Sequence, residues 1–316
     1  MANLGSSRES GHRQIRALRT FMGLPRGEVT DDTDFAIIGV PSDAGSSFRA
    51  GARFAPDAIR DRSRLLGCYN PALDVDVFEH CTGVDCGDVP VVPGDVEGSL
   101  DAIVQFVTPF LERRTVPVFL GGDHAITLAE LRVVAAQCGP VGLVDFDAHS
   151  DTMDEDNGRK FTHGTTFKRA VEEGLLDVCH SIQVGIRGSV ESRDDARGAF
   201  DLGLDVATAD EARQRGMLAT VARIRERVAG APVFLSFDID FLDPAYAPGT
   251  GEPEPGGFTS GEALDCIRGL AGLRFVAFDV VEVLPAMDPS EITSILAANV
   301  VYEFLCLVAL DKAGPS

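Results

Sequence analysis

The chain has 316 residues, of which 45% are hydrophobic and 24% are charged, and its formal net charge at pH 7 is -21. These values are typical of a soluble globular protein, and the acidic balance argues against nucleic acid as a partner, because phosphate binding needs clustered lysine and arginine. No run approaches the ~20 apolar residues of a membrane span, and the N-terminus lacks the apolar core of a secretory signal. We therefore expect a cytoplasmic protein without a membrane partner.

Apolar runs and helical patterns alternate along most of the chain. Residues 1–30 are polar and rich in arginine, which predicts an N-terminal arm, and residues 31–316 contain no repeat or linker, which indicates a single domain. Predicted strands lie at 34–40, 116–120, 141–146, 181–186, 233–238 and 274–280. Predicted helices lie near 55–66, 98–113, 126–137, 164–173, 209–228, 260–271 and 291–309. Because the strands are continuously apolar, this alternation predicts a three-layer α/β/α sandwich with a mostly parallel sheet.

Polar clusters follow four of the predicted strands, at the point where each strand ends. In an open parallel sheet, ligands bind at the carboxyl ends of the strands, so we expect these clusters to meet. They are GGDH (121–124), DFDAHSD (145–151), DID (238–240) and the pair Asp279 and Glu282.

The second cluster has the spacing of a metal-ligand set. Asp147, His149 and Asp151 alternate with two small residues, so an extended segment directs all three to one side. Asp238 and Asp240 add two more carboxylates, and the group would repel strongly unless cations neutralised it. A lone Asp-x-Asp is usually a turn, and Gly-Gly simply allows a bend. Together, however, the clusters favour a site for two divalent metal ions.

The distribution of histidine supports this interpretation. His124 and His149 fall inside the clusters, and His163 lies in the segment THGT shortly downstream. Imidazole and carboxylate together form a ligand set for divalent transition metals, so we predict a metal-dependent hydrolase. The candidate metal ligands are His124, Asp147, His149, Asp151, Asp238 and Asp240.

Five ordered motifs resemble the ureohydrolase family, which contains arginase, agmatinase and related hydrolases of guanidino compounds. The similarity runs from about residue 18 through the final helix. It implies an arginase-like fold with a sheet of about eight strands, two divalent metal ions per subunit (Mn²⁺, with Ni²⁺ as the alternative), and a homo-oligomer that is a trimer or a hexamer. The motifs are GGDHAIT (121–127), DAHSDT (147–152), THGTTF (162–167), SFDIDFLDPAYAPGTGEPEPGG (236–257) and FDVVEVLP (278–285).

The resemblance also implies a role for each candidate residue. Two overlapping sets would hold the two ions: His124, Asp147, Asp151 and Asp238 for one, and Asp147, His149, Asp238 and Asp240 for the other. Asp151 would accept a proton and pass it to the leaving amine, and Glu282 would pair with the guanidinium group. His163 would shuttle protons. Hydrolysis of a guanidino C–N bond would give urea, or a substituted urea, and an amine.

Three segments bear on the substrate that the resemblance implies. Residues 46–63 and the loop GTGEPEPGG resemble the agmatinase-like branch, which implies agmatine, guanidinobutyrate or guanidinopropionate. Residues 67–75 (GCYNPALDV) are closer to hydrolases of guanidine and alkylguanidines. The alternative is therefore a nickel-dependent hydrolase of guanidine or of an alkylated biguanide such as metformin.

Several questions stay open at this point. The acidic residues 154–156 either form a solvated loop or attract a cationic tail of the substrate, whereas Arg159, Lys160 or Arg187 would pair with a carboxylate tail. Asp145 precedes Asp147 by two residues and is a candidate partner for a metal-bound histidine. Other interpretations are amide hydrolysis, as in deacetylases that share this sheet architecture, and a silent subunit that supports an active paralogue in a hetero-oligomer.

Overall fold

The computed structural model describes residues 19–111, 113, 115–190 and 192–314. Residues 1–18 of the predicted N-terminal arm lie outside the described residues, so the arm stays a prediction. The strands are β1 (Phe35–Gly39), β2 (Tyr69–Asn70), β3 (Val75–Asp76), β4 (Gly83–Asp88), β5 (Val116–Leu120), β6 (Gly142–Phe146), β7 (Ile182–Val184), β8 (Asp205–Ala207), β9 (Val233–Asp238) and β10 (Phe275–Val281). The helices are α1 (Ala55–Arg62), α2 (Val77–His80), α3 (Val96–Leu111), α4 (Thr127–Cys138), α5 (Thr166–Glu172), α6 (Gly198–Asp201), α7 (Ala209–Arg215), α8 (Met217–Arg227), α9 (Ser260–Arg268) and α10 (Ile292–Ala313).

Eight strands form one parallel sheet in the order β4-β1-β5-β10-β9-β6-β7-β8. Side chains of each strand alternate between two apolar cores. Phe35 and Ile37 of β1 pack in the core that contains α1, α9 and α10, whereas Ala36 and Ile38 pack in the core that contains α3 and α4. Helices therefore cover both faces of the sheet, and the predicted three-layer sandwich is confirmed.

The two edge strands, β4 and β8, are missing from the sequence-based prediction. Strand β4 has the sequence GVDCGD and carries no apolar run. Gly83 is needed there, because a Cβ atom on it would lie 2.1 Å from Cζ of Phe35. Asp85 of the same strand is buried and accepts a hydrogen bond from Nε of Arg60 at 2.9 Å. This edge of the sheet is therefore held by polar contacts that an apolar pattern does not reveal.

The prediction of one helix over 209–228 was wrong, because this segment forms two helices, α7 and α8. Thr208 caps the first helix by accepting a hydrogen bond from the backbone N–H of Glu211 at 3.2 Å. Gly216 ends it with φ of 80° and ψ of 153°, a backbone conformation that is largely restricted to glycine. The helical spacing of apolar residues in the sequence continues across Gly216, whereas the helical backbone conformation is interrupted there.

The C-terminal helix α10 contradicts the expectation that no segment is long and apolar enough to span a bilayer. It has 22 residues, and its most apolar window has a mean hydropathy of 1.9. In the described fold 83% of that window is buried, since α10 packs against α1, α2, α9 and strand β10. Its apolar character is that of a central core helix.

A candidate binuclear metal centre

The candidate residues meet at the carboxyl ends of four adjacent central strands, β5, β10, β9 and β6. His124 begins a short 3-10 turn after β5, and the DAHSD segment follows β6 directly. Asp238 is the last residue of β9, and its carboxylate accepts a hydrogen bond from the backbone N–H of Asp240 at 2.8 Å. Glu282 follows the end of β10. The expected convergence of the four clusters is therefore observed.

His124 lies at the centre of three carboxylates. Its Nδ1 atom is 3.1 Å from Oδ2 of Asp147, 3.0 Å from Oδ2 of Asp151 and 3.4 Å from Oδ2 of Asp238. The imidazole and the Asp147 carboxylate are fully buried. Three carboxylate oxygens thus lie within 3.4 Å of one imidazole nitrogen, a combination of donor atoms that suits a divalent transition metal ion.

His149 lies in a second group that shares Asp147 with the first. Its Nδ1 atom is 2.9 Å from Oδ2 of Asp240 and 3.7 Å from Oδ1 of Asp147. The two oxygens of Asp147 thus face different histidines. Two sets of potential ligand atoms result, each within 4.8 Å: His124, Asp147 and Asp151, and Asp147, His149 and Asp240.

The electrostatics of this cluster fit bound cations. Burial, together with Asp240 and Asp151, raises the pKa of Asp147 to about 8. Burial, together with Asp240 and Asp147, raises the pKa of Asp238 well above its usual value. Among the described residues, Nδ1 of His124 and Oδ2 of Asp147 have no hydrogen-bond partner. Divalent cations would both satisfy these atoms and balance the buried negative charge.

The pKa of Asp240 is lowered, whereas the pKa values of Asp147 and Asp238 are raised. Burial alone would raise the pKa of Asp240, but His149 and the backbone N–H of Ala148 outweigh it and lower the pKa to about 2. The Ala148 N–H group donates to Oδ1 of Asp240 at 3.0 Å. Asp240 is thus held ionised beside His149, which suits a metal ligand.

A buried chain of hydrogen bonds orients the His124 ring through its Nε2 atom, on the side away from the three carboxylates. Nε2 of His124 lies 2.9 Å from Oγ of Ser236, whose hydroxyl donates to Oδ1 of Asp279 at 2.7 Å. The Thr127 hydroxyl donates to the other oxygen of Asp279 at 2.7 Å. The chain leaves Nδ1 directed at the carboxylates, a support typical of metal-binding histidines. Asp279 of the fourth cluster therefore supports a candidate ligand and is not one itself.

Glu282 and His163 form a pair beside the cluster. Oε1 of Glu282 accepts hydrogen bonds from the backbone N–H of His124 at 2.9 Å and from Nδ1 of His163 at 3.2 Å. Burial opposes a charge on His163, yet Glu282 outweighs it and raises the pKa of His163 to about 10. Asp151 and Glu282 have φ values of 51° and 59°. Such left-handed backbone is uncommon outside glycine and often marks functional sites.

Two further polar residues that the motifs did not single out adjoin His163. The Ser47 hydroxyl lies 2.8 Å from Nε2 of His163 and donates to Oε1 of Glu252 at 2.9 Å. Glu252 Oε1 is 3.5 Å from the same Nε2 atom. Both residues lie in loops that do not directly follow a strand. The expectation that ligands bind at the carboxyl ends of the strands therefore does not identify them. Their only signal is that they fall in the segments that suggested the agmatinase-like branch.

A cavity of about 390 Å³ opens from this site. Apolar side chains that include Met153, Ile186 and Val190 form part of its wall. Of the acidic loop 154–156, only Asp156 lines the cavity, since Asp154 is largely exposed and pairs with Arg169 at 2.7 Å.

Among the described residues, Asp145 forms no hydrogen bond or ion pair with a histidine. Its Oδ2 atom accepts a hydrogen bond from Nε2 of Gln183 at 2.8 Å, and it is fully buried within β6. The hypothesis that Asp145 supports a metal-bound histidine is therefore wrong for this arrangement, in which Ser236 and Asp279 support His124.

Two overlapping sets of imidazole and carboxylate groups at the strand ends of a parallel α/β sandwich define a site for a binuclear metal-dependent hydrolase. The chain belongs to the arginase family, whose family model matches residues 33–307. Members of this family are binuclear metal-dependent enzymes that hydrolyse guanidino C–N bonds to urea and an amine. The chain is accordingly a hydrolase of C–N bonds other than peptide bonds.

Similar proteins span nearly the full length of the chain. A mitochondrial guanidino acid hydrolase from Homo sapiens is 42% identical over 93% of this chain and 83% of its own length. A mitochondrial agmatinase from Gallus gallus is 42% identical over 92% of this chain and 85% of its own length. The solved structure of proclavaminate amidino hydrolase from Streptomyces clavuligerus has a TM-score of 0.90 and 40% identity, and covers 95% of this chain and 99% of its own.

Proposed function

We propose that this chain hydrolyses the guanidino group of a substrate with an alkyl tail, using two divalent metal ions. The observation that carries this proposal is the burial of four carboxylates and of the His124 imidazole at adjacent strand ends, with the partly exposed His149 beside them and unsatisfied ligand atoms on His124 and Asp147. The residues that would hold the ions are His124, Asp147, His149, Asp151, Asp238 and Asp240. When bound, the ions supply Lewis-acid activation of water at neutral pH.

Three side chains bind the substrate and move its protons. The Glu282 carboxylate lines the cavity, so it can accept hydrogen bonds from the guanidinium N–H groups and hold the guanidinium carbon beside the metal ligands. Asp151 also lines the cavity and accepts the proton that the attacking water releases. His163 is protonated at neutral pH because its pKa is raised to about 10, so it can protonate the leaving amine.

We infer that the metal is Mn²⁺, with Ni²⁺ as the alternative. Four carboxylates suit Mn²⁺, whereas the two imidazoles are equally good ligands for Ni²⁺. Reconstitution of metal-free protein with each ion separately discriminates the two, because the physiological ion should support the higher kcat at full occupancy.

The size of the cavity favours a substrate with a tail. Its volume of about 390 Å³ is well above the space that guanidine alone would occupy, and its wall includes Met153, Ile186 and Val190 beside candidate metal ligands. Agmatine, guanidinobutyrate and guanidinopropionate all place an alkyl chain there. We therefore prefer these substrates to guanidine itself.

The direct test is release of urea or of a substituted urea from a panel of guanidino compounds, with the protein loaded with Mn²⁺ or with Ni²⁺. The panel contains agmatine, guanidinobutyrate, guanidinopropionate, arginine, guanidine and metformin. We expect turnover of at least one tailed compound and little turnover of guanidine. If metal-loaded protein released no urea or substituted urea from any compound of the panel, the result would contradict the proposal. It would favour a catalytically inactive subunit that supports an active paralogue.

We also infer a cytoplasmic homo-oligomer, either a trimer or a hexamer. Several large apolar side chains are exposed on the single chain, among them Phe54 at 61%, Phe200 at 66% and Leu218 at 90%. Contacts between subunits would cover such side chains. Light scattering coupled to size-exclusion chromatography tests the subunit number, and a monomer at micromolar concentration would contradict the inference.

A further inference from the structure

We propose that Glu252 selects guanidino substrates whose tail carries a positive charge, and that a substrate with a carboxylate tail is turned over poorly. This inference rests on the proposed function, because it concerns the tail of the same substrate. It decides between the cationic and the anionic tail, which the sequence leaves open and which the relatives of equal identity do not settle.

The position of Glu252 suits contact with a bound tail. It lines the cavity, and its side chain is 35% exposed there. Its Oε1 atom accepts from the Ser47 hydroxyl at 2.9 Å and lies 3.5 Å from Nε2 of His163. Glu282 contacts the opposite edge of the same ring through Nδ1. A substrate gripped by Glu282 therefore has a second carboxylate close beside it.

The charge on Glu252 is only partly balanced within the cavity. Among the described residues, no lysine or arginine forms an ion pair with Glu252, and His163 is shared with Glu282. Apart from the candidate metal ligands, four acidic residues and two basic residues line the cavity: Asp156, Asp195, Glu252 and Glu282, and His163 and Arg187. With the metal ligands balanced by their ions, the rest of the cavity is negative.

Arg187 is not available to pair with a carboxylate tail. Its guanidinium group donates hydrogen bonds at 2.6–3.3 Å to five backbone carbonyls: those of Gly185, Asp240, Phe241, Leu242 and Glu254. These bonds hold the segment that carries Asp240. A carboxylate could engage Arg187 only by breaking contacts that position a candidate metal ligand.

Asp156 adds to the negative wall. A two-residue hairpin turn holds it, with reciprocal backbone hydrogen bonds of 2.9 Å between Asp156 and Arg159. Asn157 and Gly158 at the turn have φ values of 50° and 73°, as this type of tight turn requires. Oδ2 of Asp156 is buried without a hydrogen-bond partner in the described residues. Two other candidate partners for an anionic tail lie outside the cavity lining: Arg159, which donates to the carbonyl of Ala44 at 3.3 Å, and Lys160.

These contacts give the cavity a charge preference. An ammonium tail would gain attraction to Glu252 and Asp156 in a partly desolvated space, whereas a carboxylate tail would be repelled there. An uncharged alkyl tail should bind with intermediate affinity through the apolar wall. Removal of the charge at Glu252 should reduce the difference in kcat/KM between substrates with an ammonium tail and those with a carboxylate tail. It should leave kcat/KM for a substrate with an uncharged tail unchanged.

The test compares agmatine, 4-guanidinobutyrate and uncharged pentylguanidine, which share the guanidino group and have tails of similar length. For the wild-type protein, we expect kcat/KM to be highest for agmatine and lowest for guanidinobutyrate. Glu252→Gln should lower kcat/KM for agmatine about tenfold, the effect of a loss of ~1.4 kcal/mol, and raise it for guanidinobutyrate. The matched control is Glu79→Gln, an exposed acidic residue outside the cavity lining, which should leave all three values unchanged.

Three outcomes would overturn the proposal. Equal or faster turnover of guanidinobutyrate by the wild-type protein would refute the charge preference without reference to any variant. An equal loss for all three compounds in Glu252→Gln would show that Glu252 acts through His163 and not on the tail. Absence of urea from every compound would overturn the proposed function itself and this inference with it.

Discussion

Asp147 is the residue on which the metal centre depends most. Its Oδ2 atom faces His124 and its Oδ1 atom faces His149, so a single carboxylate would contribute to both candidate ligand sets. Burial and the nearby Asp240 and Asp151 make its negative charge unfavourable in the absence of cations and raise its pKa to about 8. Bound cations would reverse this preference and keep the carboxylate ionised.

Asp147→Asn should therefore lose bound metal and activity together. An amide cannot bridge two cations as a carboxylate does, so we expect fewer than two ions per chain and a loss of kcat greater than the roughly 100-fold effect of outer-shell changes. Elemental analysis after dialysis and a urea assay measure both quantities. Asp154→Asn, an exposed position outside the cavity, is the control. Two ions and normal turnover in Asp147→Asn would contradict the assignment.

The protonation of His163 depends on Glu282. Glu282, with smaller contributions from Asp151 and Glu252, raises the pKa of His163 from 6.5 to about 10 despite the opposing effect of burial. Because the folded-state pKa is raised, the pair stabilises the fold fully below pH 6.5, and this contribution is lost as the pH rises towards 10.

Glu282→Gln should shift the pKa of His163 downwards. NMR titration of the imidazole in metal-free protein measures the change, and Glu79→Gln on an exposed part of helix α2 is a suitable control. An unchanged imidazole titration in Glu282→Gln would show that Glu282 does not hold the proton on His163.

Strands that are buried on both faces could be predicted from the sequence, whereas the edge strands of the sheet and the break between helices α7 and α8 could not. All six continuously apolar runs are strands of the sheet, because residues on both faces of a central strand must be apolar. Strand β4 depends instead on Gly83 beneath the Phe35 ring and on the ion pair of Asp85 with Arg60. Strand β8 has only three residues and pairs on one side. Both carry too little apolar pattern to be recognised.

The break between α7 and α8 can be tested at Gly216. A Cβ atom there would meet no other atom within 4 Å, yet φ is 80°, so Gly216→Ala isolates the cost of the backbone conformation. We expect it to lower the free energy of unfolding by about 1–3 kcal/mol, measured by urea denaturation. Gly67→Ala is the matched control, because that position is equally open and lacks a positive φ. Equal stability of the two variants would show that the break tolerates a side chain.

At the scale of the whole molecule, strand order is the information that the sequence lacks. The strands that carry the site are widely separated along the chain, yet β5, β10, β9 and β6 are consecutive neighbours in the sheet. The expectation that ligands bind at strand ends predicted that the clusters would meet, and five of the six candidate ligands fall in the two groups of potential ligand atoms: His124, Asp147, His149, Asp151 and Asp240. This expectation did not identify Ser47 and Glu252, since both reach the cavity from loops, nor the tethering of Arg187 to backbone carbonyls.

The buried acids also make the stability of the metal-free molecule depend on pH. The pKa of Asp147 is raised from 3.8 to about 8, so the folded state retains a proton that the unfolded chain releases, and stability falls as the pH rises through this range. We expect EDTA-treated protein to unfold at lower urea concentration at pH 8 than at pH 6. Protein loaded with metal should show a smaller difference, because cations balance the ionised carboxylates. Identical pH dependence of the two forms would argue against a metal site at these carboxylates.

The most direct test of the central claim is a titration of metal-free protein with Mn²⁺, and separately with Ni²⁺, while bound metal and the rate of urea release from the best substrate are measured together. The two overlapping ligand sets predict that activity rises to its maximum only when two ions are bound per chain. Full activity with one ion bound, or with none, would contradict a binuclear centre built from His124, His149 and the four carboxylates.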